Sequence, residues 1–148
     1  MTANNLTIRN KKASFNYQFS EKYNAGIVLK GTEIKSIKNA SIDFSNSYCT
    51  IHNDQIYIKG MVIKEYLYGN INNHEPERDR KLLLNKKEIN QIKKKISEKK
   101  LSLIPIKLFI NSRGYIKVEL GLGKGKKSFD KRETIKQRDI ERKLREED

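Results

Sequence analysis

Residues 70–84, NINNHEPERDRKLLL, gather Asn73, His74, Arg78, Arg80 and Lys81 within a short polar stretch that runs into three leucines. These side chains could bind phosphate or move a proton. His74 beside Glu75 has the residue types of a general acid–base pair, as does His52 with Asp54. Neighbours in a loop or turn rarely face one another, however. No glycine-rich phosphate loop, Ser/His/Asp arrangement or metal-ligand spacing accompanies either pair. Catalysis is therefore disfavoured, and no cofactor or metal is expected. For Arg78, Arg80 and Lys81, interleaved with Glu75, Glu77 and Asp79, phosphate binding competes with a solvated charge run and is the stronger reading. A polar loop of this length inside a compact domain usually has a function. Glu33, in GTEIKSIKNA, stays open at this level between a helix N-terminal carboxylate and an RNA contact.

The 148 residues carry a formal charge of +14, which points to a polyanionic partner, nucleic acid before an anionic membrane surface. No run of 18 apolar residues is present and MTANNLTIRNKK has no apolar secretion core, so a soluble, cytoplasmic protein is expected. Cys49 is the sole cysteine, which excludes an internal disulfide or multi-cysteine zinc site and leaves it as a small buried strand residue. RNA is favoured over DNA, because no helix-turn-helix, zinc finger or basic zipper is present to enter a major groove.

Elements must position these residues. Phe15, Tyr17 and Phe19 alternate as a first strand, and AGIVL, ending at Leu29, reads as a second. Residues 32–40 read as a short helix capped by Thr32, with Ile34 and Ile37 as its apolar edge. SYCTIHNDQIYIKGMVI predicts a hairpin turning at His52–Gln55. Asn85 with Glu88 resembles a capping box, opening a helix over 86–98 whose inner face is Ile89, Ile92 and Ile96. LIPIKLFINSRGYIKVELGLG predicts a second hairpin, with Gly114 in its turn and Pro105 near the strand start. Six strands without a βαβ rhythm fit a mainly β fold, a six-stranded antiparallel OB-like barrel with two to three flanking helices, over residues 1–123.

Residues 124–148 differ in character. From Gly123 onward ten basic and seven acidic residues contribute +3 of the +14, leaving +11 to residues 1–123. So few apolar side chains predict a disordered basic tail in the isolated protein. Asp139 with Lys143 and Glu141 with Arg145 would support a helix on binding.

GTEIKSIKNA, then GN followed by NNHEPERDRKLLLNKKEI, then VELGLGKGKKSFDKRE, resemble in order and spacing the SsrA-binding protein (small protein B) family. The resemblance runs from about Arg9 to the C-terminus. It implies a bacterial, non-enzymatic protein of trans-translation that binds the tRNA-like domain of transfer-messenger RNA and brings it to stalled ribosomes. It also implies the OB-like barrel, and a monomer when free is expected. Gly31, Thr32, Glu33, Lys35 and Ser36 would line the RNA-binding surface, with Glu33 accepting a hydrogen bond from RNA. Asn73, His74, Arg78, Arg80 and Lys81 would form the RNA-binding loop, and Arg9, Lys11 and Lys12 would add to it. The tail start would reach the ribosomal decoding centre through Lys126, Lys127, Phe129, Asp130, Lys131 and Arg132. Lys136 and Arg138 would follow along the message channel, the tail becoming helical there. Replacing Glu33, or Arg78 with Arg80, is on this reading expected to weaken RNA binding without unfolding the barrel.

Overall fold

Alternation of inward and outward side chains builds most of the molecule. The structure, a computed structural model, describes residues 6–69 and 73–126. Among them, in chain order, are β1 (Thr7–Arg9), α1 (Lys11–Asn16), β2 (Tyr17–Ile27), α2 (Gly31–Lys38), β3 (Ile42–Asp43), β4 (Tyr48–His52) and β5 (Gln55–Lys59). Then come β6 (Val62–Ile63), β7 (Arg80–Leu83), α3 (Lys86–Lys99), β8 (Ser102–Ile110) and β9 (Ile116–Gly125). Seven strands form one antiparallel sheet in the order β1-β8-β9-β2-β7-β5-β4, and β3 pairs with β6 apart from it.

The sheet curls until β4 lies beside β8, yet no ladder joins those two strands. The expected six-stranded barrel is thereby corrected to an open, curled sheet of seven strands with three helices. Two changes explain the count. The two aromatic and apolar runs predicted as separate strands are a single strand, β2, because Glu21 and Tyr23 continue the half-buried face of Tyr17 and Phe19 while Ser20, Lys22 and Asn24 point outward. Two short strands, β1 on β8 and β7 between β2 and β5, then join the sheet. Phe15 falls outside β2, in α1, whose Ala13 is buried.

Both predicted hairpins form. Asn53 and Asp54 turn β4 into β5 with φ of 50° and 59°, and Gly114, with φ of 85°, turns β8 into β9. On β9, Gly121 and Gly123 have no room for a side chain. A Cβ at Gly121 would stand 2.5 Å from the Phe19 ring and 2.6 Å from Ile106, and one at Gly123 would stand 2.4 Å from the Gln18 carbonyl oxygen. The neighbouring strands are bulged at the same level, between Phe19 and Glu21 on β2 and between Pro105 and Lys107 on β8. Bulges sharpen strand bending, and here they let the ring settle over bare backbone.

Within the curl lie Ile56, Ile58, Leu82, Leu108, Leu120 and Leu122, all fully buried and each contributing about 1.5–3 kcal/mol of transfer free energy. α3 closes one side with Ile89 and Ile92. Its start is as predicted: the Asn85 side chain accepts from the Glu88 N–H at 2.8 Å and the Glu88 carboxylate accepts from the Asn85 N–H at 3.4 Å. Lys93 pairs with Asp54 and Lys95 with Glu21, fixing the helix against the β4–β5 turn and β2. Cys49 is half-buried in β4, and burial pushes its thiol pKa up, so it stays a protonated packing residue.

Candidate nucleic-acid interface

α2 and the segment from Met61 to Arg80 meet around one carboxylate. Glu33 is 0% exposed. Its Oε1 accepts from the Lys30 N–H at 2.7 Å and from Arg78 Nη2 at 2.5 Å, and its Oε2 accepts from Arg80 Nε at 2.6 Å. Arg80 is equally buried and spends its other donors on main-chain carbonyls: Met61 at 2.7 Å, Pro76 at 3.1 Å and Glu75 at 3.3 Å. Arg78 keeps 27% of its side chain exposed and has one buried donor, Nε, without a hydrogen-bond partner. Burial alone would raise the Glu33 pKa, but the donors from Arg78, the Lys30 N–H and Arg80 outweigh it and hold the carboxyl below its ordinary 4.5. For Arg80, burial lowers the pKa while Glu33 opposes it.

Three further side chains tie the same pieces together. The His74 ring is buried, with Nε2 2.8 Å from the Ile63 carbonyl oxygen and Nδ1 2.8 Å from Thr32 Oγ1. A carbonyl only accepts, so Nε2 carries a hydrogen, while the Thr32 hydroxyl can either donate to Nδ1 or accept from it. The Asn73 amide accepts from the Tyr66 N–H at 3.0 Å and donates to the Tyr66 carbonyl at 2.6 Å. Ser36 donates to the Lys64 carbonyl at 2.7 Å. Every one of these bonds spans two segments distant in sequence or closes the loop on itself.

The structure thus joins the two motifs that sequence had assigned to RNA, but through their own side chains. Glu33 was expected to accept from RNA; its oxygens are already occupied and out of reach, so it holds Arg78 and Arg80 instead. Ser36, His74 and Arg80 are likewise buried and serve as internal ties. Thr32 does not cap α2, since Lys30 occupies that position and the hydroxyl faces His74. What remains accessible is Gly31 and Lys35, which are exposed, with Thr32, Asn73, Arg78 and Lys81 half-buried. Arg9, Lys11 and Lys12 are exposed around a shallow groove that also takes in Ile42–Ser45, outside the Glu33 network. Lys126 is half-buried, its N–H donating to the Asn16 carbonyl at 2.8 Å. Lys127, Phe129, Asp130, Lys131, Arg132, Lys136 and Arg138 lie outside the described residues.

Residues 66–68, Tyr-Leu-Tyr, stand at this surface and were not among the predicted site residues. Leu67 and Tyr68 are 80% and 73% exposed, and Lys35 Nζ sits 5.3 Å from the centre of the Tyr66 ring. Their signal in the sequence is three bulky side chains at the edge of a polar loop, with no strand or helix period to bury them.

The chain matches the family described as SmpB protein over residues 7–147. It is 48% identical over 137 residues to the SsrA-binding protein of Thermosipho africanus, spanning 93% of this chain and 92% of that one. To the SsrA-binding protein of Cytophaga hutchinsonii it is 51% identical over 140 residues, 95% of this chain and 92% of its relative. Among solved structures it resembles a chain from "tmRNA-SmpB: a journey to the center of the bacterial ribosome", with a TM-score of 0.70 and 40% identity over 87% of this chain and 94% of that chain.

Proposed function

This chain belongs to the SmpB protein family, and we propose that it binds transfer-messenger RNA and delivers it to stalled ribosomes in trans-translation. The observation that carries the reading is the match in sequence and fold, over most of the chain, to SsrA-binding proteins and to a chain described under tmRNA-SmpB and the bacterial ribosome. Bond making is no part of the role: the protein acts through binding energy and shape. Its place of action is the bacterial cytoplasm, and no helix among the described residues is long and apolar enough to cross a membrane.

The RNA contacted is the tRNA-like domain, and the contact surface is the exposed rim above the Glu33 network. Gly31 leaves backbone accessible at the start of α2, Lys35 and Lys81 meet phosphates, and Arg78 offers its part-exposed side chain. Glu33, Arg80, His74 and Ser36 act through these groups as positioning residues. Asn73 sets the Tyr66 backbone, and Arg9, Lys11 and Lys12 add a second cationic patch. The chain beyond β9, which holds Lys124 and Gly125 in the sheet, forms a separate ribosome-reading tail that enters the decoding centre and message channel as a helix. Its Lys126, Lys127, Lys131, Arg132, Lys136 and Arg138 meet ribosomal RNA phosphates, and Phe129 and Asp130 lie at the tail's entry. The free protein is a monomer.

Titration of the tRNA-like domain with the purified protein tests the reading. Binding should be specific over an unrelated structured RNA, and affinity should fall at least tenfold between about 50 and 200 mM salt as lysines and arginines replace counterions. Equal affinity for both RNAs, or a flat salt profile, overturns it.

A further inference from the structure

We propose that Leu67 and Tyr68 form a stacking platform for an unpaired base of the bound RNA, with the Tyr66 ring and Lys35 as its fixed edge. The inference rests on the RNA-binding function above and names a subsite of that surface. The two side chains are adjacent and are the most exposed large apolar groups among the described residues. Unlike the exposed Val28, Tyr48, Leu83 and Tyr115, which stand singly in the sequence, these two are neighbours and form a small contiguous patch, the kind of feature that marks a contact surface.

The presentation is built rather than incidental. Residues 66–69 turn tightly, the Gly69 N–H donating to the Tyr66 carbonyl at 2.9 Å, and the Asn73 amide holds both backbone groups of Tyr66. Leu67 and Tyr68 occupy the two corners of this turn and are thrust outward. The Tyr66 ring braces Tyr68 edge-on, with centroids 5.7 Å apart and planes at 71°. This is a favoured aromatic geometry, and it leaves the Tyr68 side chain available to a further flat group.

Charge identifies the occupant. Lys35 lies over the Tyr66 ring, and Lys64, two residues before it, is exposed. An aromatic and apolar patch flanked by lysines suits a nucleotide, whose base stacks while its phosphate meets the cation. A loop or flipped base of structured RNA supplies that group, whereas paired bases do not.

The test measures affinity for the tRNA-like domain and its salt dependence. Tyr68→Ala should weaken binding about five- to a hundredfold, the range expected for one base–aromatic stack. Tyr68→Phe should recover most of that loss, because the ring and not the hydroxyl carries the contact. The slope of log affinity against log salt should be unchanged by Tyr68→Ala but should fall by about one in Lys35→Ala. Both side chains are exposed, so the melting temperature should not move. If wild type binds the RNA and the double variant Leu67→Ser, Tyr68→Ala binds equally well, the platform is wrong while RNA binding stands. Failure of wild type to bind refutes instead the function on which it rests. Concentration-dependent dimerisation abolished by the double variant, with RNA affinity intact, assigns the patch to a second copy and overturns the proposal.

Discussion

Glu33 and Arg80 are the residues on which the candidate surface depends, and they are also the ones least available to a ligand. Removing one partner of a buried, hydrogen-bonded ion pair costs about 3–5 kcal/mol, because the other charge is left unpaired. Glu33→Gln should therefore lower the stability of the whole body at neutral pH, by a margin that urea denaturation can read. Acid should close the gap. A carboxyl held below its ordinary 4.5 stabilises fully above that value and loses the contribution as pH falls through its folded value. The amide of the variant does not titrate, so unfolding curves for wild type and variant should converge below pH 4.5 and separate above it. A gap independent of pH would show that Glu33 contributes by shape alone. Arg78 behaves differently: with part of its side chain exposed, Arg78→Ala should cost more in RNA affinity than Arg80→Ala costs at equal folded fraction. The inward place of Arg80 was not legible, because the four-residue strand that turns it and Leu82 inward is too short to show a period, and Arg80 was read with the polar loop. Nor were the buried roles of Glu33 and His74, since their side-chain partners, Arg78 and Arg80 for the one and Thr32 for the other, lie 42 or more residues away.

At the scale of elements, local chemistry that is complete within a few residues was readable. The Asn53–Asp54 turn, the Gly114 turn and the Asn85–Glu88 capping box all formed where their residue types demanded. β2 was misread because EKYN is polar in composition, although its alternate members face inward. β1 and β7 carry too few residues to show a period, and pairing with distant strands defines them. Gly121 and Gly123 mark where Phe19 crosses β9, a contact that sequence spacing does not reveal. Gly121→Ala should destabilise by about 1–3 kcal/mol through overpacking. Gly123→Ala should cost more, because its added carbon meets the Gln18 main-chain oxygen and not only a movable ring. Thermal denaturation of the two variants checks the order, and Phe19→Leu should relieve Gly121→Ala better than Gly123→Ala. Equal relief would place the conflict elsewhere.

For the molecule as a whole, charge divides the labour. Of the +14, residues 1–123 carry +11, so the folded body should hold most of the RNA affinity. Residues 130–148 have too few apolar side chains to add a core, and their deletion should leave the body's unfolding transition in place. Lys131→Ala with Arg132→Ala should show part of the same defect as the deletion. The most direct measurement takes one protein lacking residues 130–148 and reads two quantities from it: affinity for the tRNA-like domain, and peptide tagging on stalled ribosomes. The account predicts affinity within a few-fold of the full chain and tagging near zero. Normal tagging, or loss of both together, would contradict the division into an RNA-binding body and a ribosome-reading tail.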